Sequence, residues 1–180
     1  MVLDDATFEE VVNAHYASLY RFSFSLTQRE ADAQDLTQET FAHLARKAHQ
    51  VRNKSKIKSW LFTTLYRAFV DSRRWQNRYP HLEMGAVDDE LPATPAGAGE
   101  RLDAAIARQA LLQVDEVFRA PLILFYLEGH SYLEIAQILG IPAGTVMSRI
   151  SRGRALLRQL MEDKPPRVAS LEPVKATTTS

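Results

Sequence analysis

Cysteine is absent from the 180-residue chain, which excludes disulfide bonds and thiol catalysis and leaves any metal site to histidine and carboxylate ligands. No stretch approaches the roughly 20 apolar residues that cross a bilayer. The opening MVLDDATFEE has neither the basic nor the apolar segment of a secretory signal. We therefore expect a cytoplasmic protein with no direct membrane insertion, and we expect neither a metal nor a cofactor.

Net charge is also lacking, because 22 Lys and Arg balance 22 Asp and Glu. The charges are nevertheless segregated along the chain. Residues 1–45 carry a net charge of −6, residues 46–78 of +9, residues 79–116 of −6 and residues 117–180 of +3. Such segregation indicates that one part of the molecule faces a polyanion and another part faces a basic partner.

Strand patterns, internal repeats and a glycine-rich phosphate loop are missing as well, and helical periodicity predicts an all-α fold. We expect two small helical domains, residues 5–78 and 101–162. The connecting residues 79–100 are rich in proline, glycine and acidic residues, which predicts a flexible acidic linker. Residues 163–180 show no periodicity and are expected to be disordered.

A helix-turn-helix is predicted between Ser131 and Leu160. Ser131 and Glu134 have the spacing of a capping box, so a helix should begin at Tyr132. Gly140 stands where the chain leaves the helix in a left-handed backbone conformation, which favours glycine. Pro142 suits the start of the following helix. The apolar face of the first helix is expected to comprise Leu133, Ala136 and Ile138 or Leu139.

The second helix of this motif has a core-facing side and a polar side. The core-facing residues are predicted to be Val146, Ile150, Gly153, Leu157 and Leu160. On the other side lie Thr145, Ser148, Ser151 and Arg152, flanked by Met147, Arg149, Arg154 and Arg158. Arginines and small hydroxyls suit the major groove of DNA, since they hold phosphates and read base edges. The alternative is an ordinary solvated helix in a bundle.

Basic and aromatic residues alternate in a helix predicted over residues 59–76. The expected inner stripe is Leu61, Leu65, Ala68, Phe69 and Ser72. The expected outer residues are Trp60, Phe62, Tyr66, Arg67, Asp71, Arg73, Arg74, Trp75 and Arg78. Cations that follow phosphates and rings that stack on bases suit unpaired DNA. The aromatics could instead be core residues. For Trp60 and Phe69 we favour the core, whereas Tyr66 and Trp75 fit either role.

An acidic helix is predicted over residues 27–48, with a capping box at Thr27 and Glu30. Its apolar positions are Ala33, Leu36, Phe41 and Leu44, and its polar surface carries Asp32, Asp35, Gln38 and Glu39. Together with His43 these carboxylates could form a metal face, but no second helix offers matching ligands. The other interpretations are a solvated acidic face and a docking surface for a basic partner.

Three segments resemble the extracytoplasmic-function group of bacterial sigma factors, the specificity subunits of RNA polymerase. They are DAQDLTQETF at 32–41, SWLFTTLYRAFVDSRR at 59–74 and LFYLEGHSYLEIAQILGIPAGTVMSRISRGRALL at 124–157. The resemblance implies a chain that directs core polymerase to promoters, and that is not itself an enzyme. The implied partners are the clamp coiled coil of the β′ subunit, the flap of the β subunit, promoter DNA and an inhibitory anti-sigma factor.

The resemblance also assigns residue roles. Asp32, Asp35, Gln38 and Glu39 would dock on the polymerase clamp. A loop would capture a base flipped from the −10 element (Arg52, Asn53, Lys54, Ser55, Lys56), and the following helix would contact that element (Tyr66, Arg67, Asp71, Arg73, Arg74). The helix-turn-helix would read the −35 element through Thr145, Met147, Ser148, Arg149, Ser151, Arg152 and Arg154. In the linker, Asp88, Asp89 and Glu90 would mimic nucleic-acid charge.

Three residues depart from the family pattern. Arg67 stands where asparagine is common, Met147 where lysine is frequent, and Gly153 where alanine is usual. Because Arg67 and Met147 could face DNA, the family's promoter preferences do not transfer directly. Two other functions remain open. A stand-alone helix-turn-helix regulator would dimerise on symmetric half-sites, and a metalloenzyme would use the carboxylates of the acidic helix with His43.

Overall fold

The computed structural model describes residues 5–47, 56–78 and 98–162, with side chains from 6–47, 56–78 and 105–162. These residues form seven α-helices and no strand, which confirms the predicted all-α fold. The helices are α1 (Asp5–Thr27), α2 (Glu30–Lys47), α3 (Ile57–Arg78), α4 (Ala98–Gln113), α5 (Glu116–Tyr126), α6 (Tyr132–Leu139) and α7 (Ala143–Glu162). None of the described helices is both long enough and apolar enough to cross a membrane. The predicted tail 163–180 and most of the predicted linker lie outside the described residues.

The predicted capping box at Thr27 and Glu30 is wrong, as the turn between α1 and α2 shows. Helix α1 continues through Thr27, whose hydroxyl donates to the carbonyl of Ser23 at 3.1 Å. Gln28 then adopts a left-handed conformation with φ 53°. The Thr27 hydroxyl accepts from the backbone N–H of Arg29, at 3.4 Å, and α2 begins only at Glu30. Thr27 is therefore the last residue of α1 and not the N-cap of α2.

Helices α1 to α3 surround an apolar core. The expected residues Ala33, Leu36, Phe41 and Leu44 of α2 are buried. Helix α3 begins two residues before its predicted start, because Ile57 is apolar and packs into the core. Two predictions on α3 are wrong: Phe62 is fully buried rather than outward, and Ser72 is exposed rather than inward.

Helices α4 and α5 precede the helix-turn-helix, and each packs against α7. Helix α4 begins at Ala98, so the predicted linker ends earlier than residue 100. Asp115 caps α5 by accepting from the N–H of Val117 at 2.9 Å. Pro121 lies inside α5, beyond its first turn. The helix tolerates this proline because only one intrahelical hydrogen bond is lost, and its carbonyl partner belongs to the exposed Val117.

The helix-turn-helix is formed as predicted. The N–H of Ser131 donates to Glu134 at 2.8 Å, and the N–H of Glu134 donates to the Ser131 hydroxyl at 3.3 Å. Gly140 ends α6 in the left-handed region with φ 65°. The apolar face of α6 differs from the prediction: Leu133 is 70% exposed, and Ile135 takes the buried place beside Ile138 and Leu139.

The inner face of α7 packs closely on α5. Val146, Ile150 and Gly153 are buried, and Leu157 and Leu160 are partly buried, as the periodicity predicted. A Cβ atom built on Gly153 would lie 2.8 Å from Cδ1 of Leu122 and 3.1 Å from Cβ of Phe118. Glycine at this position therefore brings α7 and α5 closer than alanine would allow.

The two helical domains, α1–α3 and α4–α7, are packed against each other. Phe62 of α3 contacts Phe22 of α1, with ring centroids 5.4 Å apart, and meets His130 edge-on at 4.9 Å. The side chain of Gln28 donates to the carbonyl of Leu112 at 3.0 Å. The buried apolar residues of both domains form one continuous core. The sequence did not predict this contact.

Candidate nucleic-acid interface

An open groove between α2 and α3 is lined by aromatic, basic and acidic side chains. Trp60 lies on its floor beside His43, with ring centroids 5.8 Å apart. Trp75, which is 52% exposed, forms part of its wall. Lys47 and Arg67 line the same groove. Rings for stacking and cations for phosphates are thus brought together on one surface, as unpaired DNA requires.

The helical repeat of α3 creates this surface. Leu61, Leu65 and Phe69 point into the core, so residues 67, 71 and 75, spaced by four, lie along the exposed side. Arg74 and Asp71 approach within 3.6 Å, and both side chains are 74% exposed. Such an exposed ion pair contributes little to folding, and both groups remain accessible to a ligand.

Tyr66 and Arg73 face a different side of α3, toward the C-terminal domain. The guanidinium of Arg73 lies 3.7 Å from the carboxylate of Glu116 and 5.8 Å from the centre of the Phe69 ring. Burial raises the pKa of Tyr66; the charge of Glu116 raises it further, and that of Arg149 opposes this. Burial also raises the pKa of Glu116, which the charge of Arg73 counteracts. The structure therefore divides the predicted −10 residues between two surfaces.

Sequence reasoning missed two residues of the groove, His43 and Lys47. His43 was considered only as a metal ligand, but it lies beside Trp60. Within residues 5–47, 56–78 and 98–162, no three metal-binding side chains lie close enough together to hold an ion. The basic last turn of α2, Arg46 and Lys47, was the available signal that this helix reaches the groove.

The acidic surface lies on the first half of α2. Asp35, Gln38 and Glu39 are exposed, while Asp32 is partly buried and pairs with Arg29 at 3.2 Å. Asp32, Asp35 and Glu39 line a shallow cleft between α2 and α3. Most of these carboxylates are therefore available to a basic partner.

The outer face of α7 presents the predicted polar residues. Met147, Ser148, Ser151, Arg152 and Arg154 are exposed, and Thr145 and Arg149 are partly buried. The Ser148 hydroxyl donates to the carbonyl of Thr145 at 2.9 Å, which turns its oxygen outward as an acceptor. Of the predicted capture loop, Lys56 is exposed at the start of α3, whereas residues 52–55 lie outside the described part of the chain, as do Asp88, Asp89 and Glu90.

Comparison with known proteins places these surfaces in a family. The family model "Sigma-70 region 2" matches residues 11–79, and "Sigma-70, region 4" matches residues 104–157. The ECF RNA polymerase sigma factor EcfG of Rhodopseudomonas palustris is 31% identical over 161 residues, which cover 89% of this chain and 88% of EcfG. The chain belongs to the extracytoplasmic-function group of sigma-70 RNA polymerase sigma factors.

Two further relatives agree. The ECF RNA polymerase sigma factor SigE of Mycolicibacterium smegmatis is 33% identical over 163 residues, covering 86% of this sigma factor, which spans only 62% of the length of SigE. The solved structure of the sigma factor RpoE with the anti-sigma factor NepR from Bartonella quintana is 30% identical. It has a TM-score of 0.71 and covers 88% of this sigma factor and 98% of that chain.

Proposed function

We propose that this sigma factor directs core RNA polymerase to promoters through three surfaces. The exposed acidic face of α2 docks on the clamp coiled coil of the β′ subunit, the groove between α2 and α3 binds the −10 element, and α7 binds the −35 element. The observation that carries the proposal is the groove, where two tryptophans, His43, Lys47 and Arg67 share one open surface within the region 2 match. The stand-alone regulator gives this groove no role.

At the −10 element, the groove holds unpaired DNA. Trp60 and Trp75 offer ring faces on which bases stack, and Lys47 and Arg67 lie where they neutralise phosphates. The neighbouring residues Arg52–Lys56 hold a flipped base, as the family resemblance implies. A base in weakly paired DNA is the easiest to extrude, so this step selects sequence as well as opening the duplex.

At the −35 element, α7 enters the major groove of intact duplex. Arg149, Arg152 and Arg154 hold phosphates or guanine edges, and the small side chains of Ser148 and Ser151 allow the helix to approach the bases. Met147 supplies an apolar surface for a thymine methyl group. The flap of the β subunit holds this domain at the required distance from the first.

An inhibitory protein, the acidic linker and the polymerase itself complete the proposed mechanism. The relative RpoE forms a complex with the anti-sigma factor NepR, and a comparable inhibitor would bind this chain in the cytoplasm. Acidic residues Asp88, Asp89 and Glu90 mimic nucleic-acid charge on the way to the polymerase active site. The chain needs no catalytic group of its own, because the polymerase performs the chemistry. A pull-down from native cells that recovers only polymerase subunits would exclude the anti-sigma factor.

Run-off transcription tests the central proposal. Core polymerase, the DNA upstream of the chain's own gene and the wild-type protein should yield a transcript. The variant D35A/E39A should weaken it by about tenfold or more, as expected when charged contacts at an interface are removed. A matched control is E9A/E10A, which removes two exposed carboxylates from α1 and should leave transcription unchanged. If the wild-type protein yields no transcript but binds duplex DNA unaided, a stand-alone regulator is the better explanation.

A further inference from the structure

The groove between α2 and α3 carries carboxylates as well as cations and rings. Glu39, Lys47, Arg67 and Asp71 line it, and all four side chains are exposed. Arg67 and Asp71 lie four residues apart, so they share one side of α3. A phosphate bound to Arg67 would approach the carboxylate of Asp71, whereas the edge of a neutral base would not be repelled by it. Arg67 can offset the charge of nearby phosphates at a distance, but its direct contact suits a base better.

Among the described residues, Arg67 differs from two nearby arginines of α3 in having no partner. Arg73 lies 3.7 Å from Glu116, and Arg74 lies 3.6 Å from Asp71. Within the part of the chain that the structure describes, by contrast, the guanidinium of Arg67 forms no hydrogen bond or ion pair. Its N–H donors are held in a planar fork. This fork is therefore available to a ligand in the groove.

The two tryptophans of the groove flank Arg67 along α3. Trp60 precedes it by seven residues, Trp75 follows it by eight, and all three line the groove. The rise of an α-helix places the two tryptophans about 10 Å and 12 Å from Arg67 along the helix axis. A strand that stacks on both rings thus spans several nucleotides, because stacked neighbours are about 3.4 Å apart. A base between the two rings presents its edge to Arg67.

We propose that Arg67 selects a guanine in the unpaired −10 strand by donating two hydrogen bonds to O6 and N7 of that base. These two acceptors are adjacent in guanine, whereas adenine has an amino group beside N7 and the pyrimidines have no N7. An arginine fork matches such a pair, as it matches a carboxylate. Asparagine, which is common at this position in the family, instead matches the amino group and N7 of adenine. The inference rests on the proposed function and adds a base preference to the same groove.

Selection from a randomised pool of single-stranded DNA tests the base preference. The holoenzyme, assembled from core polymerase and the full chain, retains the strands that it binds, and these are sequenced. Wild type should enrich guanine at one position. R67K keeps the charge but not the fork, so it should lose the enrichment at that position and keep the other enriched positions. R67N should replace guanine by adenine there.

R78K is the matched control for these variants. Arg78 is exposed at the last residue of α3 and has no part in the proposed contact, so R78K should retain every preference of wild type. Thermal unfolding of R67K and R67N should match that of wild type, because the Arg67 side chain is exposed. This measurement separates a lost base preference from a lost fold.

Altered bases in the selected strand locate the contact at the level of atoms. In place of the enriched guanine, 7-deazaguanine lacks the N7 acceptor and should weaken binding of the wild-type holoenzyme by about tenfold. The same base should not weaken the binding of R67K any further. Inosine keeps both O6 and N7, so it should bind nearly as tightly as guanine. Fluorescence anisotropy measures these affinities.

The outcomes separate this inference from the proposed function. If the wild-type holoenzyme retains no more single-stranded DNA than core polymerase alone, the groove does not bind the −10 strand, and the proposed function fails together with the inference. If strands are retained but no guanine is enriched, or if the enrichment persists in R67K, the proposed function stands and the assignment to Arg67 is overturned. A cytosine preference would also overturn it, since O2 and N3 of unpaired cytosine are adjacent acceptors as well.

Discussion

Gly153 shows how one residue sets the spacing of two helices. Alanine is normally better than glycine inside a helix by roughly 0.5–1 kcal/mol, but here its Cβ would meet Leu122 at 2.8 Å and the rigid Cβ of Phe118 at 3.1 Å. We expect G153A to lower the free energy of unfolding by about 1–3 kcal/mol, the usual cost of overpacking. Urea denaturation measures it.

Gly144 of the same helix provides the control for this prediction. A Cβ atom there would contact nothing within 4 Å, and its φ is not positive. G144A should therefore leave stability unchanged or raise it. Equal effects of G144A and G153A would show that helix propensity, rather than the contact with α5, decides the outcome.

His130 makes the domain contact sensitive to acid. Burial lowers its pKa below the ordinary value of 6.5, and the charge of Lys58 lowers it further, although Glu134 and Glu128 oppose this. Burial and Lys58 also lower the pKa of His15. The neutral rings favour the folded form, so its stability is complete above pH 6.5 and declines as the pH falls, because the unfolded chain takes up protons first.

Urea midpoints between pH 8 and pH 5.5 test this dependence. The wild-type midpoint should fall as the pH drops below 6.5, the fall should be smaller in H130Q, and it should be smallest in H15Q/H130Q. A midpoint that rises on acidification, or that falls equally in all three proteins, would contradict the assignment to these histidines.

Two similar local patterns had different outcomes, and the difference shows what a sequence can predict. Ser131 and Glu134 form their capping box after α5 has ended at Tyr126 and Gly129 has turned the chain in a left-handed conformation. Thr27 and Glu30 have the same spacing, but the apolar stripe of α1 continues through Leu26, so the helix includes Thr27. Local chemistry predicts a cap only where tertiary packing does not favour a longer helix.

At the scale of an element, α3 combines a core face with a binding face. Trp75 is half exposed and lines the groove, so W75A should barely change thermal stability. It should weaken binding of the polymerase holoenzyme to single-stranded −10 DNA by about 1–3 kcal/mol, the contribution of one stacked base. Fluorescence anisotropy measures the affinity.

W75F is the matched control, since it keeps a ring that can stack. It should retain most of the affinity that W75A loses. If W75A binds as tightly as wild type, Trp75 does not stack on DNA.

Helical periodicity predicted most of the inner face of α3 but not Phe62. Phe62 lies beside the core stripe of α3, where a side chain is exposed unless another part of the chain packs over it. The ring of His130, 4.9 Å away, does so. That residue is 68 positions further along the chain, and no local pattern connects the two. The lining of the groove could not be predicted from α3 alone for the same reason, because His43 and Lys47 belong to α2.

For the whole molecule, the shared core predicts the mode of unfolding. Buried residues of α1 and α3 pack in the same cluster as those of α5 and α6, so neither domain should unfold without exposing the other. Calorimetry of the free wild-type chain should show one cooperative transition. R21E, which sets a second carboxylate against the buried Glu128 and so weakens the domain contact, should show two. Two separate transitions in wild type would mean that the domain contact contributes little to folding.

The packing of His130, Glu128 and Phe62 also bears on how such chains can be recombined. Two regions that match separate family models look like exchangeable modules, yet here each carries half of a buried boundary. Arg21 lies 3.3 Å from the buried carboxylate of Glu128. A hybrid that joins α1–α3 of this chain to the second region of a relative inherits Arg21 without that carboxylate. Such a hybrid should therefore fold as well as its parents only when the boundary residues of both regions are exchanged together.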